Sequence, residues 1–465
     1  MSTRTAVISL VCLLSFFQTA ASAASNDARP THLLVSQRKP GQTDRVTVLM
    51  EVGGEFKEGA EGKSQRTRMS GVASLMYDEK TLVADRDRLR SVRYYEKAQS
   101  SAKFKDGSHN PSLAEPRRLV GVAVDPTAVS LFALREPMTR DELEVIDILG
   151  NSLLLDRLLP EGPVAIGEAW KPADNVAAAL LGLDSVTRNE LQCVLKEVTN
   201  TVARVELSGS VEGPVNDTKT RIELKGKYRF DLRTKRIDWL AMLTKEDRGI
   251  SRVAVGFDIA VRFQMTIVPQ STPPELADEQ LAGLKVEPTP DLAELRCESP
   301  QGGWQITHDR QWYLNSNDRE NGMLKLVRQG AVVCQCNIAS LPQREPDKLV
   351  SLEEYQDEVR RALGDNFGQF VEAKQSIDSA KHRVLRVVVN GVVRGKSADL
   401  PICWVYYHVA DEEGRQVALT FTIEQELLER FAEADRAIVG SLQLVKPADP
   451  KANRSIAAGD DSRRR

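Results

Sequence analysis

The fold class of this chain is indicated by residues 221–232, which read RIELKGKYRFDL. Charged side chains alternate there with an apolar set that consists of Ile222, Leu224, Tyr228, Phe230 and Leu232. A period of two places successive side chains on opposite faces of a strand. The stretch therefore predicts a strand of an antiparallel sheet that has one buried face and one solvated face.

The same period recurs on both sides of this stretch. Val46, Val48, Met50 and Val52 alternate with more polar positions near the start of the run. Further strands are predicted at 69–77, 91–98, 119–134, 190–199, 202–211, 236–245 and 252–267. Together these runs predict one antiparallel β-rich domain over residues 42–268.

One helix is predicted inside this domain. Thr139 and Glu142 have the spacing of a capping box. The following leucines and Ile146 recur at helical spacing as far as Leu158, before Pro160. We therefore expect a helix over 139–159 that packs on the sheet, and a smaller one over 176–183.

Prolines mark a boundary after this domain. Residues 269–296 contain five of them, and a linker is predicted over 269–300. Beyond it, residues 301–445 mix short strands, which include 383–390, 401–410 and 416–423, with a capped helix at Ser351 and a final helix at 424–440. The predicted class is α+β, with a large antiparallel sheet followed by a smaller α+β domain.

The two ends of the chain have their own signals. Arg4, an apolar run and the small-residue pattern at Ala21 and Ala23 are typical of a signal peptide over residues 1–23. Cleavage near Ala23 predicts a secreted or periplasmic protein. Residues 24–41 are expected to be flexible, and the charged tail at 446–465 to be disordered.

Composition limits the partners. Lys and Arg number 63 against 66 Asp and Glu, for a net charge of −3. This near balance gives no electrostatic reason to expect nucleic acid as a partner. No segment after the signal peptide has 18 consecutive apolar residues, so no transmembrane segment is predicted in the mature chain.

Residues of about 300–445 resemble the PsbP-like fold, an α/β/α sandwich around an antiparallel sheet. The resemblance is carried by the opening strand at Trp304, the helix capped at Ser351, the strand from Trp404 to Tyr407 and the closing helix before Leu442. It covers about 140 residues and includes no catalytic motif. It implies a protein-binding or assembly role.

The first domain also carries a resemblance. Leu159 to Trp170 fits the pattern Leu-Pro-x-x-Pro-Val-x-x-Gly-x-x-Trp at each named position. Residues of about 40–268 look like uncharacterised exported β-rich proteins of bacteria that carry this pattern. By analogy of strand number, the domain is similar to a LolA-type curved sheet with helices on its concave face.

No catalytic, metal-binding or cofactor-binding residue is predicted. The five histidines lack metal-ligand spacing, and no nucleophile motif is present. Cys403 and His408 are five residues apart, so on one strand they face opposite ways. We therefore expect a protein that is not an enzyme and has no cofactor.

Two groups of residues are candidate sites. Trp404, Tyr406 and His408 share one strand face, which is a binding surface if it is open and core if a helix covers it. Cys334 or Cys336 could form a disulfide with Cys403 in an oxidising compartment, whereas free buried thiols are the alternative.

Three functions follow from these patterns. The first is a non-enzymatic binding or scaffold protein of the bacterial cell envelope, whose partner is an envelope protein. The second is a carrier that holds an apolar or lipid-like ligand in the curved sheet of the first domain. The third is a hydrolase without a recognisable motif. A cavity of roughly 300–1,000 Å³ inside the first sheet would favour the carrier.

Overall fold

The computed structural model describes residues 30–447 except 60–64, 86, 106, 127, 217, 251–255, 318–319 and 396–397. The segment predicted as a signal peptide, residues 1–23, and nearly all of the charged tail lie outside the described residues. Antiparallel sheets predominate, and short helices pack on them.

Strands and helices are numbered in chain order. The strands are β1 (Thr31–His32), β2 (Thr43–Glu58), β3 (Gln65–Ala84), β4 (Leu89–Phe104), β5 (Gly107–His109), β6 (Leu119–Val124), β7 (Val129–Ala133), β8 (Met138–Thr139), β9 (Val164–Ala165), β10 (Ala169–Trp170), β11 (Arg188–Asn189), β12 (Gln192–Val198), β13 (Val202–Val215), β14 (Thr218–Asp231), β15 (Arg236–Arg248), β16 (Gly256–Gln270), β17 (Leu295–Ser299), β18 (Trp304–His308), β19 (Trp312–Asn317), β20 (Asn321–Arg328), β21 (Ala331–Leu341), β22 (Phe367–Ile377), β23 (Arg383–Val393), β24 (Leu400–Ala410), β25 (Gln416–Glu424) and β26 (Gln443–Leu444). The α-helices are α1 (Arg140–Ile146), α2 (Asp174–Leu181), α3 (Asp278–Leu281), α4 (Leu352–Leu363), α5 (Leu428–Phe431) and α6 (Ala434–Gly440).

The first domain is built on one antiparallel sheet with the strand order β10-β12-β13-β14-β15-β16-β2-β3-β4-β6-β7. The period-two prediction is confirmed in β14, where Ile222, Leu224, Tyr228 and Phe230 are buried and the charged positions between them are partly or fully exposed. β16 pairs with β2, so the last strand of the sheet in the chain lies beside the first of its long strands. The apolar faces of these strands form one continuous core.

The sheet is strongly curved. The side-chain amide of Asn175 donates a hydrogen bond of 2.7 Å to the main-chain oxygen of Pro126, next to β6. The main-chain nitrogen of Asp184 donates one of 2.9 Å to the main-chain oxygen of Pro214 on β13. β6 and β13 are seven strands apart in the sheet order. At about 4.8 Å per strand they would lie about 34 Å apart in a flat sheet. The helix α2 between these contacts spans only about 12 Å, so the two sides of the sheet must approach each other across it.

The helix predicted over 139–159 is wrong in extent. Its capping box at Thr139 and Glu142 is present, but α1 ends at Ile146 and a separate 3-10 helix covers Leu155–Leu158. Gly150 between them has a φ of +71°. The helix stops because Asn151 and Ser152 bind side chains of the sheet, which a continuous helix would not present to it. The smaller predicted helix is confirmed as α2.

Residues 30–41, whose composition predicts flexibility, are held by the first domain. β1 pairs with β9, and Leu34 is fully buried. Arg38 reaches into the core and bonds Asp156 at 3.0 Å. The prediction is wrong because this segment, although mostly small and polar, contains Leu34 and Arg38, whose side chains pack on the inner surface of the sheet.

The Pro-rich segment, predicted to be a linker, also packs against the sheet of the first domain. Leu276 is fully buried against Leu119 and Phe132 on the outer face of β6 and β7. Lys80 on β3 donates to the carbonyl of Leu276 at 2.9 Å. The outer face of the sheet is apolar at this end, so it needs a cover, and the linker supplies it. β17 then pairs in parallel with β8 and joins the two domains.

The second domain has an antiparallel sheet with the order β19-β20-β21-β25-β24-β23-β22. The predicted strands at 383–390, 401–410 and 416–423 are confirmed as β23 to β25. Helix α4 covers one face of this sheet. Residues of α5, α6, β17 and β18 cover the other face. The final helix, predicted over 424–440, is broken because Ala432 and Glu433 have φ values of 48° and 56°.

Candidate functional site

The predicted binding surface of the second domain is part of its core. Trp404 is 7% exposed and His408 is 3% exposed. Helix α4 lies over them, with the Tyr355 ring 5.6 Å from the His408 ring, while Tyr406 is partly buried beside them. Burial lowers the pKa of His408, whose Nε2 pairs with Gln416. The sharing of one face is correct, but the helix leaves that face closed to a partner.

The predicted disulfide is contradicted by the strand order. Cys334, Cys336 and Cys403 are all free and buried. β25 lies between β21 and β24, so Cys336 is opposite Phe421, which in turn is opposite Val405. Because β21 and β24 are separated by two strand spacings of about 4.8 Å, the Cα atom of Cys403 lies at least about 9.6 Å from those of Cys334 and Cys336. This distance is beyond the limit of about 7 Å for a disulfide. The fold supports the alternative, in which these residues are free core thiols.

The first domain contains the candidate site, a cavity of about 680 Å³ between the sheet and α2. Val48, Leu75 and Met265 form its floor on the inner face of the sheet. The opposite walls come from α2, the β6–β7 hairpin and the connection after α1. They include Val129, Leu131, Ile146, Ile148, Leu149, Ala178, Ala179, Leu183 and Val186. These aliphatic side chains share the lining with polar atoms, which form nearly half of its exposed surface, so the cavity suits a ligand with an apolar part and a polar part.

A buried ion network forms the end of the cavity near β3 and β4. Glu79 is 1% exposed and accepts a hydrogen bond of 2.7 Å from Arg93, which also lines the cavity. Ser152 donates to the second Glu79 oxygen at 2.7 Å, and Arg38 approaches the same oxygen at 3.9 Å. Burial by itself would raise the pKa of Glu79. The guanidinium groups of Arg93 and Arg38 outweigh burial and lower that pKa to about 2.

This network is closed on itself. Each terminal nitrogen of Arg93 has an acceptor or hydroxyl partner, namely Asn151, Ser152 and the Tyr95 hydroxyl. All three nitrogens of Arg93 are therefore engaged, and of its five N–H groups one on Nη1 is not used by these bonds. The network instead ties residues 151–156 to the sheet, and this attachment fixes one wall of the cavity.

The mouth of the cavity is acidic. Asp147, Asp174 and Asp184 line it, and all three side chains are exposed to solvent. The surrounding protein desolvates the Asp147 carboxyl and raises its pKa, although Arg310 and Arg93 act in the opposite direction. Within the described part of the chain, neither Asp147 nor Asp184 has a hydrogen-bonded or ion-paired partner for its carboxylate.

Sequence reasoning did not find this site. Glu79 and Arg93 belong to charged stretches, which are typical of solvated strands. The available signal was that Glu79 lies in phase with Tyr77 and Leu75, and so on the apolar face of β3. Among the described residues, no group of three or more His, Cys, Asp or Glu side chains could hold a metal ion.

Comparisons with known proteins give no family. No family model matches the chain, and no curated protein matches it. A structure titled lipid-protein interactions in lipovitellin superposes with a TM-score of 0.28 at 8% identity, over 50% of this chain and 26% of that one. This chain thus spans about a quarter of the lipovitellin chain. The outer membrane protein OprD from Pseudomonas aeruginosa gives a TM-score of 0.12 at 10% identity, over 84% and 95% of the two chains. TM-scores this low do not establish a shared fold.

The helices of the protein are short. None of those in the described ranges has the length and apolar character to cross a bilayer.

Proposed function

We propose that this protein is an exported binding protein whose first domain carries a small ligand with an apolar part. The observation that carries this proposal is the cavity of about 680 Å³ under α2. Its volume lies within the range of about 300–1,000 Å³ that is usual for ligand sites, and aliphatic side chains form its floor at Val48, Leu75 and Met265. Export rests on the signal peptide that the sequence of residues 1–23 predicts.

The second domain has a different part in this proposal. Both faces of its sheet are covered, so it offers no comparable internal space between its described layers. We assign it the scaffold role, in which it supports the first domain and meets a protein of the cell envelope. Its direct pairing to the first domain through β8 and β17 suits such a support.

The proposal includes no catalytic step. Ser152 is the serine closest to an acidic partner in the buried network, but it is fully buried and its hydroxyl is committed to Glu79. Such a hydroxyl is not accessible to a substrate. The hydrolase alternative therefore gains no support from the residues around the cavity.

Native mass spectrometry of the mature chain, purified from the exported fraction, tests the proposal. We expect an added mass that is lost on denaturation and extracts into organic solvent. The variant Ala179→Phe should abolish it, because Ala179 lines the cavity and a benzyl group would occupy the space. Ala241→Phe is the matched control on the outer face of β15, where the ligand should stay bound. Binding that survives Ala179→Phe, or an apo mass from every preparation, would overturn the carrier hypothesis.

A further inference from the structure

The cavity has a polarity that points to one class of head group, an inference that rests on the carrier function proposed above. Its floor at Val48, Leu75 and Met265 is apolar, whereas its mouth carries three carboxylates. A ligand that enters with its apolar end first leaves its other end at the mouth. The charges there therefore decide which head groups are tolerated.

The cation inside the cavity does not favour an anion. Arg93 lines the cavity, but its charge is compensated by Glu79 at 2.7 Å and its nitrogens already have partners. Replacing these bonds would leave Glu79 buried without its main counter-charge, which is costly. At the inner end an anionic head group thus meets a compensated charge and at most the one remaining Nη1 N–H of Arg93.

The other nearby arginines, Arg310 and Arg140, bind main-chain carbonyls. Arg310 donates to the carbonyl of Ala293 at 3.0 Å and to that of Leu131. Arg140 donates to the carbonyls of Arg310 and Trp312. Neither arginine lines the cavity. Their charges act on Asp147, and the hydrogen bonds named above join the two domains.

The carboxylates of the mouth are better placed to act on a ligand. Asp147 and Asp184 have no side-chain partner within the described ranges, and Asp174 accepts only a neutral amide bond of 2.9 Å from Asn189. Acidic residues on the exposed part of the lining repel an anion and attract a cation. Asn151 lies deeper in the lining and is 9% exposed. Its amide oxygen accepts from Arg93 and from a main-chain nitrogen, so the oxygen is already used.

We propose that the cavity selects amphiphiles with a cationic head group, such as a long-chain amine, over carboxylates of the same chain length. The alkyl chain lies along Val48, Leu75 and Met265. The ammonium group lies at the mouth, where Asp147 and Asp184 accept its hydrogen bonds. A neutral alcohol binds with intermediate affinity because it keeps the apolar contacts and loses the charge.

Displacement of an apolar fluorescent probe from the full mature chain tests this ranking. Dodecylamine, dodecanol and dodecanoate are compared at pH 7, and we expect affinity to fall in that order. Added salt should narrow the gap between amine and alcohol, since the mouth is exposed. Failure of all three to displace the probe would overturn the carrier function itself. Equal or tighter binding of dodecanoate would overturn only the head-group assignment.

Charge variants separate the mouth from the rest of the surface. We expect the double variant Asp147→Asn with Asp184→Asn to weaken dodecylamine binding by about tenfold, as expected for two exposed ion pairs, and to leave dodecanol unchanged. The control Asp258→Asn makes the same charge change on the outer face of β16 and should alter neither. If the double variant loses amine and alcohol alike, or neither, the carboxylates do not select the head group and the assignment fails.

Discussion

The two domains cover their sheets in different ways. In the second domain, α4 closes one face, and α5, α6 and the β17–β18 hairpin close the other. In the first, the short α1, a 3-10 helix and α2 cover the inner face of a much larger sheet and leave about 680 Å³ between them. Protein interiors are usually packed without spaces of this size. The cover of the first domain therefore leaves a cavity, whereas the covers of the second domain pack against its sheet.

Each domain also uses a buried ion pair to hold its cover. In the second, Asp435 of α6 is fully buried and binds Arg386 of β23 at 3.0 Å and the Tyr407 hydroxyl at 2.6 Å. In the first, Glu79 and Arg93 of the sheet bind Ser152 and Asn151 of the connection after α1. The first network fixes a wall beside an open space, whereas the second fixes a helix on a filled core.

The largest effect is expected for Trp404→Ala in the second domain. This side chain lies between the sheet and α4, so its loss leaves a void and should lower the free energy of unfolding by about 3–5 kcal/mol. Ile377→Ala on the exposed edge strand β22, which is 64% exposed, should change it by no more than about 0.5 kcal/mol. Urea unfolding measures both. A loss below about 1 kcal/mol for Trp404→Ala would mean that this face is open, as a binding surface requires.

The next effect is expected for Glu79→Gln in the first domain. The variant leaves the buried Arg93 and Arg38 without their main counter-charge, and we expect it to cost about 3 kcal/mol. Glu197→Gln removes the exposed partner of Arg204 and should cost at most about 1 kcal/mol. Similar costs for the two variants would show that the network contributes no more than a surface pair.

The unfolding free energy at acid pH should also show the contribution of the Glu79 carboxylate. The folded pKa of Glu79 is lowered to about 2 from 4.5, so the folded state binds fewer protons than the unfolded state between these values. The stability that Glu79 contributes is present above pH 4.5 and is lost as the pH falls towards 2. We expect the unfolding free energy of Glu79→Gln to fall less steeply over this range, and parallel curves would contradict the assignment.

A smaller effect of opposite sign is expected at the mouth of the cavity. Asp147 is exposed as a residue, but the surrounding protein desolvates its carboxyl and raises its pKa in the folded state, so ionisation of this carboxyl disfavours the folded state as the pH rises through that pKa. Asp147→Asn removes this penalty and should stabilise the apo protein at pH 7 by about 0.5 kcal/mol. The gain should vanish below pH 3.8, the ordinary pKa of an aspartate. Destabilisation at pH 7 would mean that the arginines nearby depend on Asp147.

Much of the sheet structure was predictable, because a strand with one buried and one solvated face has a hydrophobic pattern of period two. The pattern fails where both faces have the same environment. The edge strand β22 is mostly exposed on both sides and was missed, and β3 buries Asp78, Glu79 and Lys80 in succession. The cavity was beyond prediction because residues as distant in the chain as Val48 and Met265 meet only after the sheet has curved.

The smallest effect is expected for treatment with a reductant, which should leave the unfolding free energy almost unchanged because the thiols are free. A native disulfide contributes about 2–4 kcal/mol in general, so a bridge from Cys334 or Cys336 to Cys403 would make the second domain sensitive to reductant. The strand β25 keeps these residues apart, and burial raises the thiol pKa of each. We therefore expect the unfolding free energy of protein from the oxidising exported fraction to change by less than about 0.5 kcal/mol on reduction. Fewer than five titratable thiols in the denatured mature chain, together with a loss on reduction, would show that the strand order of the second domain differs from the one described.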